Sequence, residues 1–170
     1  MNCFLRSYNA KRAERFGKKP SIAQNLILVC SNPLSHTEFQ FSSRYNDISF
    51  SATLEDGDGG CRFKDIVYSD HPERWDTIEL PFTDEEEDRA HNRALELEGK
   101  EYDLIGLLSI PTGNVIKEDA DKYWCSETVA ELVKRAYSMR WPEYDIDFIP
   151  SSFTPVTLFF EMLYRLNKAK

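Results

Sequence analysis

The chain of 170 residues is poor in histidine, with three, and in cysteine, with four. Cys3, Cys30, Cys61 and Cys125 stand far apart, and no CxxC pair occurs among them. A zinc site assembled from local ligand pairs is therefore not expected, and neither is any other metal or cofactor. Scattered thiols fit a reduced, cytoplasmic setting. No apolar run reaches the roughly 18 residues of a membrane span, so no transmembrane segment is expected. Charges interrupt Met1–Lys19, where a signal peptide would need an apolar region, so export by that route is not expected either. A basic stripe is also missing. The net charge is −8, and the one basic cluster, Lys11-Arg12 to Lys18-Lys19, reads as a solvated face. Nucleic-acid binding is excluded on that balance. With no internal repeat, low-complexity segment or linker, residues 1–170 are expected to form a single domain.

What the chain does have is apolar material for a core: 41% hydrophobic and 13% aromatic residues. Residues 1–22 are polar and basic, and a short helix or loosely docked arm is expected there. Asn25–Cys30 is a short apolar run before Ser31-Asn32-Pro33, which predicts a buried strand. Ser35–Ser42 alternates with period two, placing His36, Glu38 and Gln40 on one face and Thr37, Phe39 and Phe41 on the other. Ile48–Thr53 alternates again and should pair with it. Glu55–Gly60 is a turn sequence without the spacing of a calcium loop. Cys61–Tyr68 and Trp75–Leu80 supply further strands, and with no helix between them the sheet should be mostly antiparallel.

Helical signals follow. Thr83-Asp84-Glu85-Glu86 is a capping-box signature, with Ala90, Ala94 and Leu97 at helical spacing up to Gly99. The acidic run Asp84–Asp88 is read as complementing the helix dipole on a solvated face. Tyr102–Leu108 is a second helical or turn-like segment, Asn114–Asp121 an exposed loop, and Trp141–Pro150 a long aromatic loop. Thr154-Pro155 starts a last helix packed by Leu158, Phe159, Met162, Leu163 and Leu166.

The stretch with most chemical content is Lys122–Val133. Val129, Leu132, Val133 and Ala136 form the apolar stripe of an amphipathic helix, and Cys125 stands at its first turn. Backbone N–H groups without intrahelical partners, together with the helix dipole, bias a thiol there towards thiolate. A nucleophilic cysteine needs a base. His71 lies in a turn and reads as a surface residue, and His91 lies on the polar helix and reads as solvated. His36 opens a strand after a proline turn, opposite two core phenylalanines, and is the candidate.

Pro33-Leu34-Ser35-His36-Thr37-Glu38, Phe50-Ser51-Ala52 with Gly59-Gly60-Cys61-Arg62, Tyr102-Asp103-Leu104-Ile105-Gly106-Leu107 and Trp124-Cys125-Ser126-Glu127 occur in that order. In this they resemble the circularly permuted papain-like hydrolases, relatives of the NlpC-type cell-wall peptidases and of lecithin–retinol acyltransferase. The resemblance runs from about Leu26 to Leu158. It implies an α+β fold, with a small antiparallel β-sheet packed against the helix that carries the nucleophile. It further implies a thiol hydrolase in which Cys125 attacks an amide or ester carbonyl and His36 is the base. Ser51 occupies the position of the third, orienting residue, and Glu38, on the His36 face, is the competing choice. Glu38, Tyr102 and Ser126 are expected at the substrate. The substrates implied are peptides, amides or acyl groups, with peptidase or amidase activity favoured. The alternatives are acyl transfer or lipid deacylation on the same fold, and a non-catalytic binding or structural protein, viral or phage.

Overall fold

The computed structural model describes residues 2–54, 59–109, 121–141 and 147–168. The fold is α+β. Five strands, β1 (Cys3–Asn9), β2 (Leu34–Gln40), β3 (Ser49–Thr53), β4 (Gly60–Lys64) and β5 (Trp75–Leu80), form one antiparallel sheet. Their spatial order is β4-β3-β2-β1-β5. The predicted pairing of the histidine strand with Ile48–Thr53 is observed, with Phe39 opposite Phe50 and Gln40 opposite Ser49. Strand alternation sends Leu5, Phe39, Phe50, Ala52 and Leu80 to one face, where all are fully buried.

That face is covered by α3 (Asp84–Leu97), α5 (Cys125–Tyr137) and α6 (Pro155–Lys168). The stripe Val129, Leu132, Val133 and Ala136 is wholly buried, and α5 packs on β2 and β3 and along α3. At about 1.5–3 kcal/mol for each large apolar side chain, this burial is what pins the start of α5 against the sheet. Helix α3 has the predicted capping box, the Thr83 N–H donating to Glu86 at 2.8 Å and the Glu86 N–H to Thr83 Oγ1 at 3.3 Å.

Two sequence expectations are corrected. The N-terminal stretch does contain the expected short helix, α1 (Ala10–Arg15), but it is not an arm: β1, before that helix, lies inside the sheet between β2 and β5. Four of the seven side chains of β1, Cys3, Phe4, Leu5 and Tyr8, are apolar, and its polar ones are matched by the strands beside it. Arg6 donates to Gln40 at 2.7 Å and to Thr77 at 3.0 Å. Nor is Asn25–Cys30 a strand. It belongs to α2 (Ile22–Ser31), begun by a capping box in which the Gln24 N–H donates to Ser21 Oγ and the Ser21 N–H to Gln24 Oε1, both at 3.1 Å. A short apolar run fits strand and helix alike, and here the cap decides. The run is not buried as a unit: Ile27 is 4% exposed, but Val29 is 78% exposed.

The acidic run is also not simply a solvated face, since Glu86 and Glu87 are buried. Glu87 accepts from the Ser42 N–H at 2.7 Å, Ser42 Oγ at 2.9 Å and Arg44 at 3.2 Å, tying α3 to the end of β2. Burial raises its pKa, but those hydrogen bonds bring it below the usual carboxylate range. His91, expected in solvent, stacks on Tyr45 with ring centroids 4.0 Å apart, and burial lowers its pKa. Among the described residues no helix is long and apolar enough to cross a membrane. Residues 55–58, 114–120 and 142–146, where a turn and parts of two loops were expected, lie outside the described residues.

Candidate active site

Cys125 is the first residue of α5, and Trp124, in extended conformation, is its N-cap. Trp124 is wholly buried and its indole N–H donates to the Phe153 carbonyl at 3.0 Å. Its own N–H faces Glu127 at 3.4 Å, and Thr128 Oγ1 donates to its carbonyl at 2.9 Å. The entry to the helix is thus fixed from both sides.

A second element brings Tyr102 to the same place. Strands β6 (Glu101–Tyr102) and β7 (Lys122–Tyr123) pair in parallel, and the Asp103 N–H donates to the Tyr123 carbonyl at 3.0 Å. Asp103 is buried and accepts from the Gly106 N–H at 2.7 Å, opening α4 (Leu104–Ser109). A Cβ on Gly106 would stand 2.3 Å from Asp103 Oδ2 and 2.7 Å from the Trp124 ring. The Tyr-Asp-x-x-Gly spacing is therefore a packing requirement: glycine lets α4 lie against the N-cap of the cysteine helix.

His36 lies on β2 opposite Tyr8 of β1. Its Nε2 is 2.7 Å from Glu38 Oε1. The Cys125 side chain lies against the same ring and against the Tyr102 hydroxyl, interacting with both without the alignment of a regular hydrogen bond. Burial alone would push the His36 pKa down. The Glu38 charge and the contacts to Cys125 and Glu38 outweigh it, and the net result is a rise to about 10. At neutral pH the ring is an imidazolium facing the Glu38 carboxylate and the Cys125 sulfur. The Tyr102 phenol is held well above its ordinary pKa, first by burial and then by Cys125, so it stays protonated as a donor beside the sulfur.

The residues singled out from the sequence divide into two groups. His36, Cys125, Glu38 and Tyr102 come together. Ser51 and Ser126 are engaged elsewhere. Ser51 Oγ donates to the Thr37 carbonyl at 2.5 Å, so its one proton is committed to the neighbouring strand and the His36 ring takes Glu38 instead. Ser126 is fully buried and donates to the Phe153 carbonyl at 2.6 Å, which is a structural bond and not a substrate contact. As an i+2 neighbour on the strand, Glu38 is expected alongside the ring and not behind it. The glutamate stem is long enough to fold back to Nε2. Among the described residues no group of three or more His, Cys, Asp or Glu side chains is placed to hold a metal ion.

His36 and Tyr102 open into a groove of about 450 Å³ between β2, β4 and the segment before β5. Neither a protein-family model, nor a curated protein, nor a solved structure matches the chain. The likeness to permuted papain-like hydrolases accordingly rests on the residues quoted for it in the sequence.

Proposed function

We propose that the protein is a thiol hydrolase that cleaves an amide or ester through an acyl-enzyme on Cys125. One observation carries this reading: a helix-start thiol lies against a histidine whose other contact is a carboxylate 2.7 Å away. A nucleophile, a proton carrier and an orienting anion in series are what acyl transfer requires. Because Glu38 keeps His36 protonated, His36 acts first as the counter-charge of a Cys125 thiolate, more than as an acceptor of its proton. The thiolate attacks the carbonyl carbon and forms a C–S bond. The oxyanion is received by backbone N–H groups at the start of α5, with the Tyr102 phenol beside them as a further donor. As the tetrahedral adduct collapses, the imidazolium gives its proton to the departing amine or alcohol. Neutral His36 then takes a proton from water, which attacks the thioester and frees the acid and the thiol.

The groove favours peptide or amide substrates over long acyl chains, because charged and polar side chains such as Glu38, Arg62 and Asp65 line it together with apolar ones. A second reading has a specific observation behind it. Cys125 is fully buried, which suits a core thiol in a non-catalytic module of the same fold. Alkylation with iodoacetamide separates the two. The hydrolase reading expects Cys125 to react well before Cys3 and Cys61 and to lose that advantage in His36→Ala. A Cys125 that reacts only on unfolding supports the non-catalytic module.

A further inference from the structure

The groove beside His36 is charged opposite to the chain as a whole. Four cations line it, Lys18, Arg62, Lys64 and Arg74, in a protein of net charge −8. Three carboxylates share the lining, Glu38, Asp65 and Asp70, and Glu38 is already matched by His36. The groove also holds buried polar atoms that lack hydrogen bonds, among them Ser35 Oγ, Arg74 Nε and the Tyr102 hydroxyl. Ser35 Oγ belongs to a fully buried residue and has no partner. Arg74 Nε makes no hydrogen bond and meets the Glu73 carboxylate only at 3.5 Å. Leaving such atoms unmatched costs stability, and an acceptor within reach of either would relieve that cost. Part of the remaining wall is apolar, with Tyr8 edge-on to Trp75 at 5.2 Å and Ile27 and Leu54 also in the lining.

From this we infer that the groove binds an anionic group of the substrate, a carboxylate or a phosphate, carried on a short apolar body whose carbonyl reaches Cys125. Arg74, Lys64 and Lys18 supply the positive field, and Ser35 Oγ and Arg74 Nε supply donors. The acidic remainder of the surface repels polyanions, so the ligand is a small anion and not a charged polymer. The inference rests on the hydrolase reading for the position of the reacting carbonyl, but the groove can be tested without it.

The test compares two alkylating reagents of equal length, N-bromoacetyl-6-aminohexanoate and its neutral methyl amide, with a third arm ending in a phosphate. Labelling of the Cys125 peptide is followed by mass spectrometry, and N-acetylcysteine gives the intrinsic rate ratio. An anionic reagent should exceed the neutral one by about tenfold beyond that ratio, as a charge-assisted contact predicts. The preference should shrink at high salt and in Arg74→Gln and Lys64→Gln. Lys18 and Lys64 are exposed, so Lys18→Gln replaces any variant that does not fold. The faster of the two anionic arms identifies the group. A wild-type ratio equal to that of N-acetylcysteine overturns the inference. So does a high ratio that survives every substitution, because the His36 imidazolium alone would then explain it. If no reagent labels Cys125, the hydrolase reading fails, and Cys125→Ser is titrated with hexanoate and hexanamide while the Arg74 Nε–H resonance is watched. Movement with hexanoate alone upholds the anion site, and no movement overturns it.

Discussion

Glu38 Oε1 lies 2.7 Å from Nε2 of His36, two positions along the same strand. The pair is largely shielded from solvent, with side-chain exposures of 8% for Glu38 and 18% for His36. Under that shielding the carboxylate is the main reason the ring stays charged, and on the proposed reading Glu38 is the orienting group in place of Ser51.

Replacing the carboxylate should therefore be felt at the ring. In Glu38→Gln the His36 pKa should fall from about 10 by at least about one unit, read from the ring C–H resonances. Turnover should drop by about tenfold to a hundredfold, since a charge-assisted bond becomes a neutral one. Ser51→Ala should leave the His36 titration unchanged and cost about 1 kcal/mol of stability through the lost bond to Thr37. The opposite ranking would return the orienting role to Ser51.

Stability should depend on pH through the same ring. The folded-state pKa of His36, about 10, lies above its ordinary value of 6.5. The folded state thus holds the proton more tightly than the unfolded chain. The resulting stabilisation is complete below pH 6.5, shrinks above it and is lost as the pH rises through about 10. Urea midpoints measured between those limits should fall more steeply in the wild type than in Glu38→Gln.

Ser126→Ala should lower stability by about 1 kcal/mol and leave KM unchanged, because its hydroxyl holds the Phe153 carbonyl. A raised KM with unchanged stability would restore Ser126 to the substrate.

Gly106→Ala should destabilise by about 1–3 kcal/mol, as expected when a methyl is forced into a packed site. The new Cβ would stand 2.3 Å from Asp103 Oδ2, against the N-cap of the cysteine helix. Thermal melts should show the loss, and an unaltered melting temperature would mean that α4 is not pressed on Trp124.

Much of this frame was legible in the chain because single residues announced it. Thr83 and Glu86 cap α3 as read, Pro155 opens the last helix, and the alternation around Phe39 assigns both faces of β2. The meeting of His36 with Cys125 was reachable from helix-start and strand-start logic. Other features carry no local signal. Strand β1 mixes apolar Cys3, Phe4, Leu5 and Tyr8 with polar residues, and the partners of its Arg6, Gln40 and Thr77, are distant in the chain. The capping pair Ser21 and Gln24 marks the start of α2, while the apolar run after it fits a strand equally well. The choice between Ser51 and Glu38 turns on where one hydroxyl proton points, and only the Thr37 carbonyl settles that. The cations of the groove come from three places in the chain, Lys18, Arg62 and Lys64 on β4, and Arg74, so no short window of sequence contains them all.

The central claim is an acyl-enzyme on Cys125 that depends on His36. The most direct measurement is to mix the protein with an activated ester such as p-nitrophenyl acetate, quench within the first turnover, and map the acyl group by peptide mass spectrometry. The account predicts a burst of nitrophenol approaching one equivalent, with the acyl group on Cys125, absent in Cys125→Ala and nearly absent in His36→Ala. Acylation spread over Cys30 and surface lysines, with no burst and no dependence on His36, would contradict it.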